Sequence, residues 1–162
     1  MGCMIMKEKK FLLIKCIAIP LLVGGVAGFI TRGGMETFQQ MNQPPLSPPP
    51  WLFPIVWTIL YTLMGIASYL ILTSDAEQRE KDDALALYYD QLVVNFLWPV
   101  FFFSFQWYLF SFFWILLLWL LVFWMIWKFS RISKTAAKIN IPYLLWLTFA
   151  AYLNFGVWWL NR

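Results

Sequence analysis

The sequence predicts an all-α membrane protein, a five-transmembrane-helix bundle formed as one domain over residues 1–162. Three observations predict it. The chain is 62% hydrophobic and only 12% charged, whereas a soluble domain of this size carries roughly 25% charged residues. Lipid is therefore the solvent for most of its surface. Gln91 to Trp127 contains no charged residue and is too long for one span of about 20 residues. Backbone polar groups in lipid must be paired inside the chain, which requires helices, because five segments of this length cannot close a barrel.

The elements follow in order. The first span covers about residues 11–30 and holds Pro20 with the small-residue run Gly24, Gly25, Ala27 and Gly28. Small residues there let a neighbouring helix or a ligand approach the backbone. No small-residue cleavage site leads from it into a soluble domain, so it reads as a retained span. The start MGCMIM has Met6 where a myristoylation signal carries Ser or Thr. Residues 31–50 read as the one long loop, with five prolines between Pro44 and Pro50. Proline fixes φ and favours extended geometry, so this loop holds a shape suited to a lid. The second span covers about 51–73, with Pro54 in its first turn, where proline is tolerated. A short charged loop, Ser74 to Asp83, follows. The charge-free stretch folds back near Phe105 to Leu109, which makes spans of about 84–104 and 110–128. Pro99 should kink the third span by removing an intrahelical hydrogen bond. A basic loop, Lys128 to Lys138, precedes the fifth span at about 139–160.

Five spans put the termini on opposite sides. The N-terminal side then collects Lys7, Lys9, Lys10, Lys15, Arg79, Lys81, Lys128, Arg131, Lys134 and Lys138, against Arg32 and Arg162 on the other. The positive-inside bias places the N-terminus in the cytoplasm and the C-terminus and proline-rich loop outside, in a membrane read as a bacterial plasma membrane. Basic residues at span ends form no nucleic-acid patch. The chain has no histidine, which removes the commonest metal ligand and general base. Cys3 and Cys16 fit no zinc or disulfide pattern and read as inert thiols. No metal site and no cofactor are expected.

Helical spacing then groups the unusual residues. Trp57, Tyr61, Met64 and Ser68 share a face of the second span, as do Gln91, Asn95 and Trp98 in the third and Tyr143, Trp146, Ala150 and Asn154 in the fifth. Such faces could line an apolar pocket with a few placed polar groups. Of the eleven tryptophans, Trp51, Trp107, Trp158 and Trp159 lie near span ends and read as interfacial anchors. Trp114, Trp119, Trp124 and Trp127 crowd the fourth span without a polar companion and read as lipid-facing or packing residues. Trp57, Trp98 and Trp146 stand open between packing and ligand contact. The amides Gln91, Asn95 and Asn154 stand open between interhelical hydrogen bonding and ligand orientation.

The loop Asn42-Gln43-Pro44-Pro45-Leu46-Ser47-Pro48-Pro49, the run FPIVWTILYTLMGIA (Phe53 to Ala67) and the run PYLLWLTFAAYLN (Pro142 to Asn154) resemble the translocator-protein family. That family is also called TspO, tryptophan-rich sensory protein or peripheral benzodiazepine receptor, and the resemblance covers essentially the whole chain. It implies a five-helix bundle with a ligand pocket beneath the first loop, and ligands that are porphyrins, cholesterol in animals, or benzodiazepine-type compounds. Carried to matching positions, the implied pocket comprises Phe38, Pro48, Trp57, Tyr61, Asn95, Trp98, Trp146, Ala150 and Asn154. The chain departs from the family at Thr37-Phe38, where Trp-Tyr is frequent, at Leu46, where tryptophan is common, and at Pro50, where glycine is common. The cholesterol-recognition pattern is absent, with Phe155 and Trp159 at its positions.

The expected function is an integral membrane binding protein, a sensor or carrier for porphyrin-type tetrapyrroles, whose flat rings suit an aromatic pocket. Lack of histidine favours metal-free porphyrin over haem. One alternative is light-dependent porphyrin breakdown, in which Trp57 and Trp146 would act. Another is a partner-binding membrane protein without a small ligand. The resemblance also implies a homodimer.

Overall fold

The computed structural model describes the chain from residue 2 and its side chains from residue 7, so the thiol of Cys3 and the side chain of Met6 lie outside the described residues. The helices are α1 (Gly2–Gln40), α2 (Leu52–Leu72), α3 (Gln78–Pro99), α4 (Tyr108–Ile132), α5 (Lys134–Ile139) and α6 (Ile141–Leu160), with a π-helical turn at Val100–Ser104. Five segments are long and apolar enough to cross a membrane, the fifth being α5 and α6 together. No strand occurs among the described residues. The expected all-α bundle of five spans is thus the observed one.

Around the bundle, α1 lies on α2 and on the π-turn, α3 on α4, and α4 on α6, while α2 closes the ring through α5. Met64, Ile71, Ile115, Val122, Met125 and Leu147 fill the core without solvent access. The outer faces carry exposed Leu22, Phe29, Leu120 and Leu145. An apolar exterior over an apolar core is what lipid as solvent requires.

Several boundaries differ from the sequence expectation. Residues 31–40, expected in the loop, continue α1, and the true loop spans only residues 41–51. Gly33 and Gly34 lower helix propensity there, but packing outweighs it. A Cβ on Gly34 would lie 2.3 Å from the carbonyl oxygen of Phe103, so glycine lets α1 press onto the π-turn. One turn later Phe38 is buried against Phe102 and Phe103. Pro99, expected to kink the third span, is the last residue of α3, and the chain continues directly as the π-turn. A left-handed Gln106 (φ 57°) then reverses the chain into α4. Asn140 separates α5 from α6, with Pro142 in the first turn of the latter.

The proline-rich loop is tied to the end of α6. Asn161 donates to the carbonyl of Asn42 at 2.9 Å and accepts from its N–H at 3.1 Å. The Tyr152 hydroxyl donates to the Pro45 carbonyl at 2.8 Å. Pro44 sits on Gly156, where an added Cβ would lie 2.5 Å from the ring. A turn closed by the Ser47 N–H on the Pro44 carbonyl puts Leu46 at φ 68° and 82% exposed.

Candidate functional site

Two backbone contacts decide where the cavity lies. Near the N-terminal end, α1 touches α2 backbone to backbone, since a Cβ on Gly65 would lie 2.5 Å from the Ile17 Cα. At the loop end, α1 touches the π-turn at Gly34. Between these points α1 passes from one neighbour to the other and leaves a gap against α2 and α3. That gap is a cavity of about 590 Å³. Added Cβ atoms on Gly25 and Gly28 would meet nothing within 4 Å, so these glycines face open space. Its lining also includes exposed Arg32, Pro54 and Thr58, so it opens sideways on the bundle surface.

Of the nine residues singled out in the sequence, Trp57, Tyr61, Asn95 and Trp98 line this cavity. Trp57 stacks on Tyr61 with centroids 5.4 Å apart and meets Tyr143 edge-on at 6.1 Å. Tyr61 donates its hydroxyl to Asn95 Oδ1 at 2.9 Å. Asn95 Nδ2 donates to the Tyr143 oxygen at 2.6 Å, and Tyr143 donates to Gln91 Oε1 at 2.8 Å. This chain of bonds joins α2, α3 and α6 behind the cavity wall, and it explains why amides at membrane depth are tolerated: each is paired. The Trp98 indole donates to Asn154 Oδ1 at 3.0 Å, and Asn154 donates to the Tyr108 carbonyl at 2.7 Å.

The remaining five lie outside the cavity lining. Phe38 is buried among Phe53, Phe102 and Phe103 and seals the loop end. Pro48 sits half-buried in the loop, which reaches the cavity only through Pro50. Ala150 and Asn154 are buried in the helix packing. Trp146 packs edge-on against Phe53 at 6.0 Å and lines a separate groove of about 410 Å³ between α2 and α6. Its indole N–H is buried without a partner. The fifth span therefore contributes support rather than lining, because α2 and the Tyr143 network stand between it and the gap.

Sequence comparison decides the family. The TspO/MBR family profile matches residues 16–160 of the chain. This chain belongs to the TspO/MBR family. Among its relatives, the tryptophan-rich protein TspO of Chlorobaculum tepidum is 35% identical over 157 residues, covering 96% of this chain and 99% of that protein. The translocator protein of Bos taurus is 32% identical over 146 residues, covering 89% and 86%. The tryptophan-rich sensory protein of Cereibacter sphaeroides is 35% identical over 126 residues, covering 78% and 77%. The chain is thus a TspO/MBR membrane protein whose relatives are named as sensory and translocator proteins.

In this TspO/MBR member, the cavity wall missed by residue-type reasoning is α1 from Leu21 to Met35, together with Phe53 and Phe103. The glycine run was its one sequence signal. The fourth-span tryptophans also hold a correction. Trp114 donates to the Val94 carbonyl at 2.8 Å and Trp119 to Thr148 Oγ1 at 2.9 Å. They do have polar companions, on α3 and α6, which spacing within α4 could not reveal. Trp124 and Trp127 are exposed, as are Trp51, Trp107 and Trp159 near helix ends.

Proposed function

We propose that this protein binds porphyrin-type tetrapyrroles and similar flat apolar ligands in the α1–α2–α3 cavity, as a sensor or carrier in a plasma membrane. The observation that carries this reading is the cavity itself: about 590 Å³, walled by Trp57, Tyr61, Trp98, Phe53 and Phe103. That volume falls within the ~300–1,000 Å³ usual for small-molecule sites, and aromatic walls favour a flat ring. The names of the relatives, sensory and translocator proteins, support a small-ligand role. Glycines on α1 supply the flat, open side. Phe38, Pro48, Trp146, Ala150 and Asn154 then act by closing and bracing the site rather than by touching the ligand. The charge bias supports a cytoplasmic N-terminus with the cavity near the outer leaflet. Assembly as a homodimer belongs to the same reading.

The test is tryptophan-fluorescence quenching of the detergent-purified protein by protoporphyrin IX in the dark. Saturable quenching that weakens at least tenfold in Trp57→Ala supports the reading. Identical quenching in both proteins refutes it. Light-dependent breakdown of the same ligand is a second reading, favoured by Trp57 stacking on Tyr61 at the cavity face. Trp146 lies outside the cavity lining, so Trp57→Phe alone should abolish pigment loss under light while sparing binding in the dark; undiminished pigment loss removes this reading.

A further inference from the structure

The cavity lining contains seven side chains with hydrogen-bonding N or O atoms: Thr31, Arg32, Trp57, Thr58, Tyr61, Asn95 and Trp98. Five of them are already engaged inside the protein. The Thr31 hydroxyl donates to the Ala27 carbonyl at 2.9 Å and the Thr58 hydroxyl to the Pro54 carbonyl at 2.7 Å. Tyr61 and Asn95 bond to each other at 2.9 Å, and the Trp98 indole is taken by Asn154 at 3.0 Å. The Trp57 indole and the Arg32 guanidinium make no hydrogen bond among the described residues, and Arg32 is the one charged group of the lining, outside any ion pair, since the one ion pair among the described residues is Lys128 with Asp83. Glu36, one turn further along α1, makes no ion pair with it. The guanidinium instead lies over the Phe29 ring, 4.4 Å from its centroid. Stacking on a ring face holds the group flat and leaves its N–H edges free.

The position of Arg32 is as telling as its chemistry. The preceding charge on α1 is Lys15. Seventeen residues of helix rise about 25 Å, close to the ~30 Å hydrocarbon thickness. Arg32 therefore stands at the membrane boundary while still lining the cavity, at its mouth. A guanidinium offers five donors in a planar fork that matches a carboxylate.

From this geometry we infer that Arg32 makes the cavity selective for apolar ligands that carry a carboxylate at one edge. The inference rests on the proposed tetrapyrrole reading and deepens it: the ring occupies the aromatic interior and an acidic substituent meets Arg32 at the membrane surface. A neutral ligand of the same shape gains no such contact.

The test compares protoporphyrin IX with its dimethyl ester, which keeps the ring and removes the charge. Both are titrated in the dark against wild type, Arg32→Gln and Arg32→Lys, with thermal melting as a check on folding. Arg32→Gln should lower the ratio of diacid to diester affinity about tenfold, the size expected for loss of a charge-assisted hydrogen bond. Arg32→Lys should restore part of it, and added salt should weaken the diacid more than the diester. An unchanged ratio in Arg32→Gln, including equal losses for both ligands, overturns the inference while leaving the cavity reading intact; Arg32 would then be an anchor at the lipid headgroups. Saturable binding of neither ligand to wild type overturns both.

Discussion

Gly65 offers a direct test of how the cavity is built. It lies on α2 where α1 crosses, and a Cβ there would meet the Ile17 Cα at 2.5 Å, the Cys16 carbonyl oxygen at 2.6 Å and the Ile17 nitrogen at 2.9 Å. Carbon–carbon contacts settle at about 3.5–4.0 Å, so α1 would have to withdraw by roughly 1 Å. The obstacle is backbone, and no rotamer change relieves it. Gly28, also inside a helix, is the control, because its added Cβ meets nothing within 4 Å. Each Gly→Ala change gains about 1 kcal/mol of helix propensity, and that gain cancels between the two variants. What remains is the overpacking cost at Gly65, about 1–3 kcal/mol. At about 2–4 °C per kcal/mol for a chain of this size, Gly65→Ala should melt roughly 2–12 °C below Gly28→Ala. Circular dichroism melts in one detergent measure the difference. Equal melting temperatures, or a higher one for Gly65→Ala, would refute the claim that α1 and α2 touch there and so set the edge of the gap.

Three further outcomes are expected. Asn95→Ala strands the buried hydroxyl of Tyr61 and takes one of two partners from that of Tyr143, which keeps Gln91, and should cost about 1–3 kcal/mol, whereas Tyr88→Phe removes a buried hydroxyl that has no partner and should be neutral or slightly stabilising; the two melts should therefore move apart. Gly28→Leu enlarges a residue that lines the cavity and whose added Cβ meets nothing within 4 Å, and it should lower protoporphyrin IX affinity at least tenfold without lowering the melting temperature, which a titration and a melt check together. Combining Asn161→Ala with Tyr152→Phe removes three of the bonds that tie the proline-rich loop to α6; limited proteolysis should then cut within residues 41–51 faster than in wild type.

How much of the site could be read in advance varies by helix. Trp57 and Tyr61 recur at helical spacing on a helix with a buried neighbour on either side, so periodicity alone puts them on an inward face. Asn95 and Trp98 carry the same information on α3. The wall supplied by α1 was hidden for the opposite reason: glycine has no side chain to announce a face, and Gly24 and Gly28 look alike in sequence. Yet an added Cβ on Gly24 would lie 2.1 Å from the Tyr61 ring, while one on Gly28 meets open space. Trp146 shows the converse case. Its own helix presents it beside Tyr143 and Ala150, but whether that face reaches the cavity depends on what stands between, and α2 with the Tyr143 network does.

The sequence by itself determined that the protein is a helical membrane bundle, how many spans it has and which family it belongs to. These follow from local quantities: the charge-free length that lipid demands, the ends of apolar runs and long specific motifs. Only the tertiary structure decided that residues 31–40 are helical, that the proline-rich loop fastens to α6, and that the cavity lies between α1, α2 and α3. Each of those outcomes depends on close approach between segments distant in sequence, at Gly34 and Phe103, at Gly156 and Pro44, and at Gly65 and Ile17. Propensity and periodicity describe one helix at a time, and the gap exists only because α1 leans on two neighbours at once.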